Sequence, residues 1–366
     1  MGDKFTREAL CRAWLQNAQG LSWNAQEALL TYFGSAEVVF DLLGGTALAI
    51  AGEKAYRSLV GMKNAGLAAM EKKLIESGAQ VVVRGKAGYP YLLEQICDPP
   101  HALFVRGTTG DDEKSVAIVG SRKETRYGRT QAYNIAKELA RNGVTIVSGL
   151  ARGIDTAAHE GALAGGGRTV AVLGNGIDSV YPPENQELAK RIVDSGGAII
   201  SEFPFGAAPL AHHFPVRNRI ISGISAATLL VEGHAKSGTM ITAGFAAEQG
   251  REVFALPGMV DAPGSAAPLR LLREGANICT CAQDILSDMR WNVKKQAETA
   301  QKTETDDLSD AQKKIVSALS GEQKYFEELI ELTKLKPDEL AGELAMLELD
   351  GVIESRAGRA YALLNQ

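Results

Sequence analysis

The stretch VTIVSGLARGIDTAAHEGAL, residues 144–163, decides the fold class. It begins with a short β-branched run, passes through a turn that contains two glycines, and ends in a segment of helical composition. The same succession of apolar run, turn and helical segment repeats from residue 79 onward. Continuous apolar strands that alternate with helices are typical of a parallel sheet covered on both faces. The sequence therefore predicts an α/β fold built on a parallel sheet.

Seven apolar runs are the predicted strands of this sheet. They are residues 81–83, 116–119, 145–147, 169–173, 198–200, 228–231 and 252–256. Helical stretches lie between them, among others at residues 130–142, 156–164 and 239–249. Because such a helix returns the chain to the same end of the sheet, successive strands are expected to run parallel.

The sequence on either side of the alternating region follows other patterns. Residues 1–78 carry apolar residues at helical spacing between glycine-containing breaks, which predicts a small helical domain. Residues 291–308 are polar and predict a flexible linker. Residues 309–366 hold three helical patterns followed by two strand patterns, which is the order of a winged helix. The alternating region, residues 79–290, is the predicted Rossmann-like domain.

The composition limits the classes of function. The chain has 366 residues and a formal net charge of -5, so a nucleic-acid site, if present, is expected to be local rather than spread over the surface. No apolar run is long enough to cross a bilayer and no signal-type segment follows the N-terminus, so we expect a cytoplasmic protein without a membrane partner. The four cysteines lack the spacing of a zinc site and are expected to be reduced thiols.

Ligands of an open parallel sheet bind beyond the carboxyl ends of its strands. The segments that leave the predicted strands there are residues 120–122, 148–155, 174–178 and 232–239, and most of them combine glycine or serine with a cation. Residues 215–219 add two arginines just before a predicted helix. Glycine N–H groups, helix N-termini and cations together favour phosphate binding. The fingerprints G-x-G-x-x-G and G-x-x-x-x-G-K-S/T are absent from these segments, so no dinucleotide or ATP cofactor is predicted.

Six runs of this region resemble the DNA-processing protein A family, DprA, also called Smf. They are VAIVGSR at 116–122, SGLARGIDTAAHEGAL at 148–163, TVAVLGNGIDSVYPPEN at 169–185, SEFPFG at 201–206, FPVRNRIISGIS at 214–225 and VEGHAKSGTMITAGFAAEQGREVFALPG at 231–258. The resemblance runs in order and in register over residues 80–285. The family commonly has a helical, SAM-like front domain and a winged-helix tail, which matches the patterns described above.

The resemblance implies a function and partners. A chain of this family is expected to bind single-stranded DNA without strong sequence preference, to form a homodimer, and to help load a RecA-type recombinase in natural transformation. It is expected not to be an enzyme and to need neither a metal nor a cofactor. Leu269, Leu271, Leu272 and Ile278 either line the dimer contact or belong to the core.

The resemblance also assigns a single-stranded DNA pocket. Carried over to the matching positions of this sequence, its residues are Gly120, Ser121, Arg122, Ser148, Gly149, Arg152, Gly153, Arg217, Asn218, Arg219, Lys236, Ser237 and Gly238. Backbone amides and cations would neutralise successive phosphates, and Phe205 or Phe214 would stack on bases. No catalytic residue is assigned.

An enzyme that hydrolyses nucleoside phosphates is the main alternative. Glu202 and Glu232 both follow predicted strands and could form a carboxylate pair for N-glycosidic hydrolysis. Related hydrolases carry a P-G-G-x-G-T-x-x-E motif, but Thr242 stands where its glutamate would be. Arg217 or Arg219 could instead pair with one of the two glutamates and fix a loop.

Two further kinds of site are disfavoured. A Ser148, His159 and Asp155 triad lacks the G-x-S-x-G turn that exposes such a nucleophile. His212 and His213 are adjacent, so their side chains face different ways, and no third metal ligand is placed near them.

The winged helix leaves a third class open, a regulator that senses a ligand and binds duplex DNA. Its third helix carries acidic residues at Asp338, Glu339, Glu343 and Glu348. Carboxylates are unfavourable in a major groove, so a protein-interaction module is the favoured interpretation.

Overall fold

The computed structural model describes residues 5–110, 112–235, 237–291, 309–319, 323–349, 352–356 and 358–363. The chain divides into two compact units, Met1–Asn292 and Val293–Gln366. The predicted linker at 291–308 lies outside the described residues except for Trp291. Within the described ranges, no helix has both the length and the apolar composition that crossing a membrane requires.

Six helices precede the sheet in the described part of the chain. They are α1 Arg7–Gln16, α2 Trp23–Phe33, α3 Ala36–Asp41, α4 Gly45–Ala51, α5 Glu53–Ala65 and α6 Leu67–Ser77. These helices share a core, in which the Trp14 indole N–H donates to the Leu59 carbonyl at 3.2 Å. Helix α1 also reaches the sheet, because the Gln16 amide bonds both the N–H and the carbonyl of Ala102 at 2.8 Å. The predicted helical character of this segment is confirmed, while the boundary at residue 78 stays a prediction.

The described residues of the first unit form a nine-stranded sheet. Its strands are β1 Gln80–Val83, β2 Ala102–Gly107, β3 Ser115–Val119, β4 Thr145–Ser148, β5 Thr169–Val172, β6 Ala198–Ser201, β7 Ala227–Leu230, β8 Glu252–Ala255 and β9 Asn277–Ile278. Their order is β1-β2-β6-β5-β4-β3-β7-β8-β9. The seven strands from β6 to β9 run parallel, whereas β2 is antiparallel to both of its neighbours.

The predicted α/β class and all seven predicted strands are confirmed, but the sheet is mixed rather than purely parallel. Strand β2 was not predicted, because it begins two residues after Pro100 and no helical crossover marks it in the sequence. Its pairing with β6 joins segments about a hundred residues apart, as in the register Phe104 to Ser201. Such pairing depends on tertiary packing and leaves no local pattern.

Within the described chain, eight helices connect the strands of the sheet or follow its last strand. They are α7 Tyr91–Glu94, α8 Arg126–Arg141, α9 Ile154–Ala164, α10 Gln186–Asp194, α11 His213–Ile224, α12 Gly238–Glu248, α13 Ala266–Arg273 and α14 Ala282–Asp288. From the central β3 the chain adds β4, β5 and β6 on one side, and then returns to add β7, β8 and β9 on the other. The order of the strands therefore reverses between β3 and β7, and a crevice at such a reversal is the usual ligand site of an open α/β sheet.

Strand β3 is buried on both faces, which explains its unbroken apolar run. Val116 and Ile118 pack with α8 and α9, whereas Ala117 and Val119 pack with α11. Successive side chains of a strand point to opposite faces, so a strand covered on both sides needs apolar residues at every position.

The second unit is a small helical and three-stranded fold. Its elements in the described chain are α15 Asp310–Ala318, β10 Lys324–Tyr325, α16 Phe326–Thr333, α17 Pro337–Leu349, β11 Ile353–Arg356 and β12 Ala360–Leu363. The strands are ordered β10-β12-β11, and Ile315, Leu329 and Leu344 lie in the core. The predicted winged helix is confirmed, with β10 as a strand that the sequence did not predict.

Candidate functional site

A pocket of about 660 Å³ opens at the point where the strand order reverses. Its walls come from the loops that follow β3, β4, β5, β6 and β7, and from the helices α9, α11 and α12 near their N-termini. The position agrees with the prediction that a ligand site lies beyond the carboxyl ends of these strands.

Arg122 is the arginine that the loop between β3 and α8 presents to the pocket. Its side chain is exposed, and its guanidinium carbon lies 4.7 Å from the centroid of the Phe214 ring. Within the described part of the chain, no carboxylate forms an ion pair with Arg122. A cation that stacks on an aromatic ring and forms no ion pair within the described residues is available to an anionic ligand.

Gly120 and Gly153 allow the loops after β3 and β4 to touch. A Cβ at Gly120 would lie 2.5 Å from the side chain of Ile154. Gly153 has a φ of +80°, and a Cβ there would overlap the carbonyl oxygen of Ser121, which accepts a hydrogen bond from the Ile154 N–H at 3.2 Å. The Ser121 hydroxyl donates to the Lys123 carbonyl at 2.9 Å. These site residues therefore shape the pocket wall through the backbone.

The turn after β4 is held by buried partners. Ser148 is fully buried, and its hydroxyl donates to the Ile118 carbonyl at 2.7 Å. The Gly149 N–H donates to the Asp155 carboxylate at 3.1 Å, and the Gly149 carbonyl accepts from the Arg217 guanidinium at 2.7 Å. Arg217 is only 3% exposed. Burial lowers the pKa of Arg217 to about 10 and raises the pKa of Asp155.

Two of the predicted pocket arginines are neutralised elsewhere. Arg152 forms an ion pair with Glu184. Arg219 pairs with Glu202 at 2.6 Å and with Asp98 at 3.2 Å. Neither arginine lies on the pocket wall. The sequence places both near the site because it cannot show which distant carboxylate each one meets.

The N-terminus of α12 faces the pocket. Ser237 is its N-cap residue, and the Ser237 hydroxyl bonds the hydroxyl of Thr239. Gly238 is exposed, and its carbonyl accepts from the Asn218 side-chain amide at 3.4 Å. The first N–H groups of a helix lack intrahelical partners and carry partial positive charge, so they favour an anion. Lys236, predicted beside them, lies outside the described residues.

An aromatic face lies next to these cationic and amide groups. Phe214 lines the pocket between Arg122 and Arg217, with Tyr181 at a ring-centroid distance of 6.0 Å. Phe205 packs edge to face on Phe104 at 5.4 Å and is not part of the pocket wall. Of the two phenylalanines predicted to stack on bases, only Phe214 is placed to do so.

The two glutamates of the hydrolase alternative are held apart from the pocket. Glu202 is bound to Arg219. Glu232 accepts hydrogen bonds from the Thr125 hydroxyl and, at 2.9 Å, from the Thr125 N–H at the start of α8. Neither carboxylate lines the pocket. Both carboxylates therefore stabilise neighbouring segments through hydrogen bonds and ion pairs, and they do not form a pair that faces a substrate.

The triad and the histidine metal site do not form. The Nδ1 atom of buried His159 bonds the Thr169 hydroxyl at 2.7 Å, and in the described chain no hydrogen bond joins His159 to Ser148 or Asp155. The ring of His213, next to His212, stacks on Phe203. The described residues contain no group of three or more His, Cys, Asp or Glu that could hold a metal ion.

Several residues of the pocket wall were not among the predicted site residues, and four of them carry a charged, histidine or tyrosine side chain. Lys123 and His234 are exposed on the loops after β3 and β7, Tyr181 lies on the loop after β5, and Asp155 lies beneath the turn after β4. Lys123 directly follows the predicted segment Gly120 to Arg122, so the sequence alone could have placed it at the site. Asp155 was predicted as the last residue of the strand-end segment 148–155 and as a triad member, but its contact with the Gly149 N–H is a feature of the folded turn.

The fold and the site define a class, Rossmann-like α/β proteins with a pocket at the strand-order reversal and a C-terminal winged helix. Residues 80–290 match the family described as DNA recombination-mediator protein A, and residues 298–359 match the DprA winged helix domain. The chain belongs to the DNA recombination-mediator protein A family.

Named relatives agree with this assignment. The chain is 46% identical to Protein Smf of Escherichia coli (strain K12) over 206 residues, which cover 56% of this chain and 55% of that protein. It therefore spans about half the length of that relative. It is 40% identical to DNA processing protein DprA of Bacillus subtilis (strain 168) over 216 residues, which cover 58% of this chain and 72% of that protein.

Two solved structures are similar to this chain. DNA processing protein A of Streptococcus pneumoniae is 33% identical with a TM-score of 0.65, over 75% of this chain and 95% of that one. DNA processing protein A of Helicobacter pylori is 30% identical with a TM-score of 0.53, over 58% of this chain and 97% of that one. The Helicobacter pylori structure concerns a single-stranded DNA binding mode of that protein.

Proposed function

We propose that this protein binds single-stranded DNA in the pocket at the strand-order reversal and acts in DNA recombination during natural transformation. The family and the Helicobacter pylori relative support the ligand class. The single observation that carries the proposal is the state of Arg122, which is exposed, unpaired among the described residues, and stacked on Phe214 beside the N-terminus of α12.

This arrangement suits one unpaired strand. Arg122 and the exposed Gly238 N–H at the start of α12 offer positive charge to phosphates, while the Phe214 face accepts an unstacked base. A duplex keeps its bases stacked inside, so it offers phosphates but no free base to the Phe214 ring. The proposal therefore includes a preference for single-stranded over duplex DNA.

The proposal assigns no catalytic residue. Glu202 and Glu232 are engaged with Arg219 and Thr125, and the carboxylate in the pocket, Asp155, is bound to backbone N–H groups. Release of free base from a nucleoside monophosphate by the purified protein would contradict this part of the proposal.

Binding to a labelled oligo-dT of about 30 nucleotides, followed by fluorescence anisotropy over a salt series, tests the pocket. Loss of one charged contact to phosphate is expected to weaken binding by about ten-fold in Arg122→Ala. It should also reduce the slope of log K against log salt by about 0.7, the value for one phosphate of a single strand.

Arg129→Ala is the matched control. Arg129 lies on α8 outside the pocket, about half exposed at 49%, and pairs with Glu124 and Glu160. Its loss is expected to leave affinity and salt slope within two-fold of the wild type. Equal effects of the two substitutions, or no salt-dependent binding by the wild type, would refute the pocket.

The same proposal includes a homodimer that helps to load a RecA-type recombinase. Ile278 supports a dimer contact, because it is 55% exposed on the edge strand β9, where an apolar side chain and unpaired backbone groups favour pairing. Leu271 is buried at 8% and belongs to the core. Ile278→Lys is expected to shift sedimentation from dimer to monomer, and an unchanged profile would place the contact elsewhere.

Recombinase loading needs its own assay. The wild type is expected to speed formation of recombinase filaments on single strands that are already coated by a single-strand binding protein. Arg122→Ala should lose this effect in proportion to its lost DNA affinity, whereas full stimulation by this variant would separate loading from the pocket.

The winged helix is proposed as a protein-interaction module. Asp338, Glu339 and Glu348 are exposed on α17, which would otherwise enter a major groove. Deletion of residues 300–366 is expected to leave single-strand affinity within a few-fold, and a large loss, or a gain of duplex specificity by the full chain, would favour a DNA-binding role.

A further inference from the structure

We propose that Arg217 and Asp155 are positioning residues that clamp Gly149 between them, one through its carbonyl and the other through its N–H, and that Arg217 is not a phosphate ligand. The inference rests on the proposed function and reassigns one arginine of the DNA pocket. It separates residues that contact the DNA from residues that hold the turn after β4 in the conformation that DNA binding requires.

The guanidinium of Arg217 is turned into the protein. Its Nη1 donates to the Gly149 carbonyl at 2.7 Å and to the Val172 carbonyl, and its Nε donates to the Asn218 side-chain oxygen at 3.2 Å. Three of the five N–H donors of the fork are thereby fixed to protein acceptors. The guanidinium also fills the space that a Cβ at Gly149 would need, 2.6 Å from its Nη atoms.

Asp155 holds the preceding peptide group, which carries the Gly149 N–H. It is 6% exposed, and its Oδ2 accepts from the Gly149 N–H at 3.1 Å and from the Ala151 N–H at 3.3 Å. The Gly149 residue is therefore bound through its N–H by an anion and through its carbonyl by a cation. Each charge offsets the other in a site that excludes water, so removing one leaves the other uncompensated.

The clamp holds a strained residue. Leu150 follows Gly149 with a φ of +55° while being fully buried, and its carbonyl accepts from the Asn185 side-chain amide at 2.9 Å. A non-glycine residue in this region of φ costs free energy and persists only where its surroundings force it. Loss of either clamp residue is expected to let the turn relax and to misplace the pocket wall that Ala151 provides.

The salt series distinguishes a positioning residue from a phosphate ligand. We expect Arg217→Lys to weaken oligo-dT binding by about ten-fold or more, because a single ammonium nitrogen cannot hold the two carbonyls and also replace the Nε bond to Asn218, while the salt slope stays at the wild-type value. A phosphate ligand would behave differently: lysine would retain most of the affinity, and Arg217→Met would reduce the slope by about 0.7.

Asp155→Asn is an independent test, because a charge role and a positioning role of Asp155 predict opposite changes in DNA affinity. If Asp155 acted only through its charge, removing a carboxylate beside the pocket would tighten DNA binding. A positioning role predicts weaker binding, because a neutral amide oxygen in the place of Oδ2 accepts weaker hydrogen bonds from the two N–H groups and leaves the buried Arg217 charge uncompensated. Near-unchanged tryptophan fluorescence and thermal unfolding of this isosteric variant would show that the fold is intact.

The outcomes separate this inference from the proposed function. Weaker binding at an unchanged slope in Arg217→Lys and weaker binding in Asp155→Asn support the clamp. Wild-type affinity in Arg217→Lys, a lower slope in Arg217→Met, or tighter binding in Asp155→Asn overturns it while Arg122→Ala still reports the pocket. A wild type without salt-dependent binding overturns the proposed function, and the clamp's role in DNA binding with it.

Discussion

Lowering the pH from 7 to 5 is expected to destabilise the first unit through two buried histidines, His101 and His159. His159 is fully buried, and its Nδ1 donates to the Thr169 hydroxyl, whose own hydrogen goes to the Ile146 carbonyl. Its Nε2 has no hydrogen-bond partner among the described residues. A proton taken up at Nε2 would therefore be a buried charge without a counter-charge.

His101 is buried by a different set of neighbours. Its ring stacks on Trp23 at a centroid distance of 5.8 Å, and neither ring nitrogen has a hydrogen-bond partner among the described residues. Burial, helped by the charges of Arg12 and Arg84, lowers the pKa of His101 to about 4. Glu27 approaches its Nε2 only to 3.5 Å. Burial lowers the pKa of His159 to about 3.

The magnitude follows from these pKa values. Both folded pKa values lie below the unfolded pKa of about 6.5. The stability that the two neutral rings contribute is therefore complete above pH 6.5 and is lost as the pH falls from there toward the folded pKa values. At pH 5 a histidine of the unfolded chain is almost fully protonated, whereas the two buried histidines of the folded chain stay mostly neutral. This difference lowers the free energy of unfolding by about 2 kcal/mol for each histidine. The free energy of unfolding is expected to fall by about 4 kcal/mol from pH 7 to pH 5 through this pair.

Urea unfolding at pH 7, 6 and 5, followed by tryptophan fluorescence, measures this change. The three tryptophans, Trp14, Trp23 and Trp291, all belong to the first unit, so they do not report on the winged helix. His159→Asn and His101→Phe are each expected to remove about 2 kcal/mol of the pH dependence, whatever they do to stability at pH 7. A pH dependence equal to that of the wild type in both variants would refute the assigned role of the buried rings.

Three other predictions concern stability. Gly153→Ala is expected to cost more than about 2 kcal/mol in urea unfolding, because positive φ and an overlapped carbonyl act together, whereas Gly166→Ala, with a φ of +69° but open space around its Cβ, should cost about 1 kcal/mol. Equal losses would show that the close contact is unimportant. Arg219→Met should cost about 3 kcal/mol by leaving Glu202 buried without its partner, and adding Glu202→Gln should recover much of it; a lack of recovery would contradict the pairing. Ser309→Ala removes the capping box of α15. The free energy of unfolding of the winged helix, followed by circular dichroism, should fall by about 1 kcal/mol, while the unfolding transition of the tryptophans stays unchanged.

Most of the fold could be predicted because its signals are local. The apolar run at 116–119 and the run at 145–147 have no polar position, which follows from burial on both sheet faces. The glycine turn after each strand and the helix that begins beyond it are set by backbone preferences of neighbouring residues. The three helices and the wing of the second unit were predicted on the same basis.

The composition of the pocket wall was only partly predictable. Arg122, Arg152, Arg217 and Arg219 are equivalent in the sequence, each an arginine close to a strand end or a helix start. In the fold, Arg122 stays exposed on Phe214, while Arg152 and Arg219 are taken up by carboxylates. The choice depends on which charges from other segments come within a few ångströms, and Coulomb attraction at that range decides it.

The sequence alone therefore determined the α/β class, the strand ends that carry the site, and the family, because these depend on local periodicity and on motifs within one segment. Only the tertiary structure decided that β2 runs antiparallel, that Phe214 rather than Phe205 faces the pocket, and that Arg217 binds the Gly149 carbonyl 68 residues away. Contacts of that kind form between segments that meet only after folding, when burial removes water and each polar group must bond whichever partner the packing brings to it.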